Sequence, residues 1–300
     1  MKQSVGVRGP ARLAWRSYLQ LLRLPNLPTA AADVLAGYAV AGLPGTGALL
    51  WLLPAGLALY AGGVVLNDAH DAALDAVERP ERPIPSGQIG RGRAFVLGYA
   101  LLGIGVAAAF AAGSVSGWIA VLLAAAVLLY DAWSKQRPLW GALNMGACRG
   151  LNLLLGVSAA PALLGECWHL ALLPLAYVAA VTAVSRGEVH GGRRATGALA
   201  LGLLYAVLLG LLAMAWSPAV SGWALLPFLL LLMFRVLPPF WRAYLQPQPG
   251  PIRRAVQAGV LSLIVLDAAI AAGHGGLLYG LALLSLLPLS LLAARTFAVT

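Results

Sequence analysis

The sequence predicts an all-α polytopic membrane protein with nine to ten transmembrane helices. Three observations lead there. Of the 300 residues, 61% are apolar and only 10% are charged. Soluble domains carry roughly half and a quarter, so the apolar surplus needs a solvent other than water. The apolar residues fall into consecutive runs of span length. The bases occupy every second loop, so charge and hydropathy alternate together.

Residues 10–22 place bases on one side and Trp15, Leu19 and Leu22 on the other, which predicts a short interfacial helix. The first two dozen residues are basic and amphipathic rather than an apolar run with a small-residue cleavage site, so they do not read as a signal peptide. Residues 1–20 are read as a basic segment leading into a single membrane domain over 1–300. The spans then fall near 22–43, 49–74, 92–112, 116–134, 139–160, 168–187, 196–216, 220–237, 255–273 and 276–294. Each approaches the roughly 17–25 residues that a bilayer requires. Short Gly, Pro or charged stretches separate them, and no polar linker divides the chain. Only Gly273, His274, Gly275 and Gly276 part the last two, so a broken helix or a re-entrant hairpin stays open there. Cys148 and Cys167 make no metal-type spacing, and no disulfide is expected.

Every base except Arg149 lies in, or within three residues of, the loops that precede odd-numbered spans, or follows the last span. The opposite loops carry none. By the positive-inside rule the basic side is cytoplasmic, with both termini and the loops 75–91, 135–138, 188–195 and 238–254 on it, in the cell (inner) membrane. The net charge of +10 is then a property of one face, suited to anionic headgroups of the lipid bilayer, and no nucleic acid partner is implied.

Half of the ten acids crowd into one stretch: Asp68, Asp71, Asp75, Glu78 and Glu81. Asp68, Asp71 and Asp75 stand at i, i+3 and i+7, one face of a helix, and Asn67 joins it four residues before Asp71. No base within helical reach neutralises Asp68 or Asp71. A solvated acidic helix end is the plain alternative. Three acids in register at membrane depth instead suggest a divalent cation such as Mg²⁺, its shell completed by water and phosphate oxygens. The following loop, Glu78-Arg79-Pro80-Glu81-Arg82-Pro83-Ile84-Pro85-Ser86-Gly87, is stiffened by its prolines. Arg79 and Arg82 suit phosphate oxygens, or pair with Glu78 and Glu81.

Asn67-Asp68-Ala-His-Asp71-Ala-Ala-Leu-Asp75 followed by Arg82-Pro83-Ile84-Pro85-Ser86-Gly87 resembles the first signature of the UbiA superfamily of intramembrane prenyltransferases. Arg23-Leu-Pro-Asn26 resembles the Arg/Asn element of that family's first helix. Asn144 to Gly156, with Arg149 and Asn152, resembles its fifth-helix element. The resemblance runs from about residue 20 to about 275. It implies helices ringed around a central cavity, with two Asp-rich motifs facing each other and holding the diphosphate of an isoprenyl donor through Mg²⁺. Transfer to a small acceptor, aromatic or a secondary metabolite, follows. It implies catalytic and metal roles for Asp68, Asp71, Asp75 and Glu188, with Asn67 as a further metal ligand, and substrate contacts from Asn26, Asn67, Arg79, Arg82, Tyr130, Lys135, Arg149 and His190. Tyr130 offers an aromatic face to an allylic cation.

The chain departs from the family in two places. In Ser185-Arg186-Gly187-Glu188-Val189-His190-Gly191-Gly192-Arg193, Glu188 falls where the second motif's first aspartate stands and Gly192 where its second would be. In Tyr130-Asp131-Ala-Trp133-Ser134-Lys135 the lysine comes one residue late and Asp131 is an added acid. These stretches, together with Asn144-Met-Gly-Ala-Cys148-Arg149-Gly-Leu-Asn152, look most like the UbiA-like EboC type, associated with a secondary metabolite. A non-catalytic binder of a lipid diphosphate, or a component of secondary-metabolite export, is therefore the second reading. A CDP-alcohol phosphotransferase would need a different aspartate array.

Overall fold

A computed structural model describes residues 10–296. Residues 1–9 and 297–300, with the first part of the basic N-terminal segment and both termini, lie outside it. Helix α1 (Pro10–Leu21) leads through a tight turn at Arg23 into α2 (Leu27–Val40). There follow α3 (Leu49–His70), α4 (Ala72–Glu78), α5 (Arg91–Ala112), α6 (Ser114–Ala132) and α7 (Pro138–Val157). The second half holds α8 (Leu164–Cys167), α9 (Leu172–Ser185), α10 (Arg194–Ala215), α11 (Gly222–Leu245), α12 (Pro249–Gly275), α13 (Leu277–Leu284) and α14 (Leu286–Ala294).

The helices form two packed halves with their own apolar cores. One joins α3, α5, α6 and the facing side of α7; the other joins α9, α10, α11 and α12. Helices α2 and α7 sit at the seam and touch each other closely. An alanine Cβ at Gly37 would land on the Leu153 carbonyl oxygen, and one at Gly156 on that of Val34, so only glycine permits this approach. Helix α12 is the central post: in its most apolar stretch 83% of residues are buried, against 22% for Leu277–Ala294 on the periphery. Gly276, at φ 85°, turns the chain back so that α13 packs on α12.

Eight stretches among the described residues are long and apolar enough to cross a membrane, and the protein is a multi-pass membrane protein. The other two expected spans differ for physical reasons. Near 22–43 the chain is not helical throughout, and α2 is only 14 residues long. Helix α7 is long enough, but Asn144, Arg149 and Asn152 interrupt its apolar run. The span near 220–237 is instead longer: α11 runs on through Pro238 and Pro239 to Leu245. Neighbouring helices re-satisfy the backbone that such prolines free. The last pair is a hairpin at Gly276, with its second arm broken at Ser285.

Candidate active site

The loops that the charge pattern assigns to one side meet at one end of the bundle. Lys135, from the α6–α7 loop, donates to Asp71 Oδ1 at 2.6 Å. Arg79, beyond α4, reaches Glu188 at 3.7 Å. Arg253 Nε, at the start of α12, donates to the Glu188 carbonyl at 3.3 Å, and Gly192 N donates to Pro247 O at 2.8 Å. Below this cap lies a cavity of about 410 Å³, within the usual range for small-molecule sites. Its deeper wall is apolar, with Leu59, Val64, Leu123, Val127, Val181 and Leu263. Arg23, Asn26, Asn67, Asp71, Asp75, Arg79, Arg82, Tyr130, Asp131, Arg149, Asn152 and Glu188 line the rest.

The acidic stretch is not one unbroken helix. Asp71 (φ −83°, ψ 2°) interrupts it between α3 and α4, although Asp71 N still bonds Asn67 O and Asp75 N still bonds Asp71 O. No base within helical reach neutralises Asp68 or Asp71, but bases from other elements do. Asp68 is 2.8 Å from Arg23 and 3.4 Å from Arg82; Asp75 is 2.7 Å from Arg82. Arg79 and Arg82 thus reach Glu188, Asp68 and Asp75 rather than Glu78 and Glu81. Asp68 is buried between its arginines and does not line the cavity.

Glu188 is only 6% exposed, and its Oε1 has no hydrogen-bond partner. Burial pushes its carboxyl above the ordinary glutamate range; Arg79, Arg253, Arg23 and Arg82 pull part of that back. For Arg23 burial opposes the charged form, but Asp68 beside it, with Tyr60 and Asp75, more than compensates, and the guanidinium is held even more firmly charged.

Arg149 is committed inward. Its Nε lies 3.0 Å from Asp33, its Nη2 donates to Thr29 O at 2.7 Å, and its guanidinium stands 5.3 Å from the Tyr60 ring centre. Asn152 donates to Asp33 at 2.9 Å and to Ala30 O at 3.0 Å. Arg149 is therefore a fixed charge in the cavity wall. His190 does not join the site: it is exposed on the loop after α9 and lines no part of the cavity. Lys135 does not line the cavity; its ammonium stands behind the wall, bonded to Asp71. Arg23, Tyr60 and Asn152 line the cavity without having been singled out as site residues; Asp131, the added acid of the Tyr130 stretch, lines it and also stands 3.6 Å from Lys135. Arg23 and Asn152 stand inside the quoted Arg/Asn and fifth-helix elements, which was the available signal; nothing marks Tyr60.

Among the described residues no three His, Cys, Asp or Glu side chains converge as a ready metal cluster. The donors fit a cation shared with a phosphate ligand. Asp71, Asp75, Asn67 and Glu188 line one cavity, and one Glu188 oxygen is buried and bare. Mg²⁺ is commonly held by one or two carboxylates with phosphate and water.

The pattern that defines the UbiA prenyltransferase family matches residues 27–261. The digeranylgeranylglyceryl phosphate synthase of Ignicoccus hospitalis is 34% identical over 177 residues, 59% of this chain and 58% of that protein. The match thus spans little more than half the relative's length. The solved structure of a UbiA homologue from Aeropyrum pernix superposes with a TM-score of 0.64 at 18% identity, over 81% of this chain and 96% of that one. The Archaeoglobus fulgidus homologue bound to DMAPP and Mg²⁺ gives 0.63 at 17% identity, over 90% and 99%. Both show a shared fold.

Proposed function

From the premise that the chain belongs to the UbiA prenyltransferase family, we propose that it is a Mg²⁺-dependent membrane enzyme that moves an isoprenyl group from its diphosphate to a small acceptor. The observation that carries this reading is the division of one cavity into an acid- and base-lined mouth and an apolar interior. Asp71, Asp75 and Glu188 would hold the cation; Arg79, Arg82 and Lys135 would take phosphate oxygens. Arg82 and Lys135 now hold carboxylates at 2.7 and 2.6 Å. Each such pair can exchange partners, carboxylate to cation and base to phosphate, without leaving a buried charge alone. When bound, Mg²⁺ supplies charge that offsets the departing diphosphate. The apolar wall accommodates the isoprenyl chain and keeps water from the allylic carbon. Tyr130 presents its ring from α6 to the same space.

For the acceptor, the relative's name favours the hydroxyl of a glyceryl phosphate lipid over the aromatic or secondary-metabolite acceptor expected at first. The cavity is proposed to open to the cytoplasmic side of the cell membrane. Incubating membranes that contain the protein with labelled isoprenyl diphosphate, Mg²⁺ and either a geranylgeranylglyceryl phosphate or an aromatic acid tests the choice. Label on the glyceryl lipid supports it; label on the aromatic alone refutes it.

A second reading, suggested by the EboC-type resemblance, is a binder that holds a lipid diphosphate without transfer. The ion pairing of the mouth carboxylates, with Gly192 in place of a second acid, supports it. It predicts donor binding with no product from either acceptor.

A further inference from the structure

Asp131 lies in the last turn of α6 and has no part in the reading above. It is 5% exposed and lines the cavity beside Asn67 and Asp71. Its Oδ1 accepts a hydrogen bond from Asn67 Nδ2 at 3.0 Å. Lys135 Nζ stands 3.6 Å from that oxygen while it donates to Asp71 Oδ1 at 2.6 Å. Asp131 Oδ2 is buried and has no hydrogen-bond partner. His70 Nδ1 lies 3.8 Å from it but is directed to Leu66 O at 2.8 Å.

Two carboxylates, one from α6 and one from the break between α3 and α4, therefore flank one ammonium, and one buried carboxylate oxygen is bare. Such an oxygen is costly to bury unless something positive completes it. An ammonium shared by two carboxylates marks where a small cation would be stabilised, and Mg²⁺ needs no more from a protein than one or two carboxylates if phosphate and water supply the rest. We propose that Asp131 and Asp71 form a divalent-cation position, with the Lys135 ammonium as its resident competitor. Helix α6 thus supplies the carboxylate that the chain lacks at Gly192. The inference rests on the metal–diphosphate reading above and adds a ligand to it.

The test is a Mn²⁺ titration of purified protein in detergent, read by electron paramagnetic resonance with and without inorganic pyrophosphate. Mn²⁺ shares the preference of Mg²⁺ for oxygen ligands. With pyrophosphate, Asp131→Asn should bind Mn²⁺ about tenfold more weakly than the unaltered protein. Without it, Lys135→Gln should bind Mn²⁺ more tightly, because the competitor is gone, and adding Asp131→Asn should cancel that gain. A bridge that is only structural would not give opposite signs to the two partners. Unchanged Mn²⁺ affinity in a folded Asp131→Asn, or a weaker affinity in Lys135→Gln, overturns the proposal. If Asp131→Asn does not fold, the sign of the Lys135→Gln change decides alone. If the unaltered protein takes up no Mn²⁺ even with pyrophosphate, the metal–diphosphate reading falls and this inference with it.

Discussion

At Glu188 two forces oppose each other. Burial favours the neutral acid, and Arg79 at 3.7 Å favours the carboxylate. Burial wins, so at mildly acid pH a larger share is protonated than for an exposed glutamate. Protonation removes a charge that a cation needs. Mg²⁺-dependent turnover should therefore rise with pH through the range just above the ordinary glutamate value and level off once Glu188 is ionised. In Glu188→Gln that rise should vanish and the plateau fall by roughly 10–100-fold; a pH profile of both proteins checks it, and matching profiles would remove Glu188 from the cation site. The candidate roles of Asp71 and Asp75 were legible because their spacing is local, and that of Glu188 only through the resemblance of residues 185–193 to the second motif. Their partners were not, since Arg23 and Lys135 lie 45 and 64 residues from Asp68 and Asp71. His190 looked equally local to Glu188. Gly191, at φ 86°, and the Gly192–Pro247 bond turn the chain there, and the imidazole lies outside the cavity.

The element that most controls the cavity wall is the α2–α7 contact. Gly37 and Gly156 let the two backbones touch, and that closeness puts Asn152 and Arg149 within reach of Asp33, Ala30 O and Thr29 O. Gly156→Ala should force the helices apart, cost about 1–3 kcal/mol as overpacking does, and loosen Arg149. Thermal unfolding in detergent should show a lower midpoint, with weaker binding of an isoprenyl diphosphate; an unchanged midpoint would show that the seam tolerates separation. Helix positions were readable from apolar runs, but their ends were less so. The proline pair at 238–239 reads as a stop, yet α11 passes it because packed neighbours hold the helix. Helix α2 starts late, at Leu27, because Pro25 and the left-handed Arg23 (φ 47°) form the entry turn.

For the molecule as a whole, the charge pattern and the cavity mouth fall at the same end. The loops holding Arg79, Lys135, Glu188 and Pro247 contact one another there. Alternation along the chain shows through in the sequence because each loop contributes its own bases; which loops touch does not, because that depends on packing across the seam. Gln248→Cys, beside that mouth, should resist a membrane-impermeant thiol reagent added to intact cells and react once the cells are opened. Reaction in intact cells would reverse the orientation. The most direct test of the central claim compares donor binding and pyrophosphate release, with labelled isoprenyl diphosphate, Mg²⁺ and acceptor, in membranes carrying the unaltered protein or Asp71→Ala. The account predicts Mg²⁺-dependent release in the unaltered protein, lost together with Mg²⁺-dependent binding in a folded Asp71→Ala. Tight donor binding without any pyrophosphate release, or release undiminished by Asp71→Ala, would contradict it.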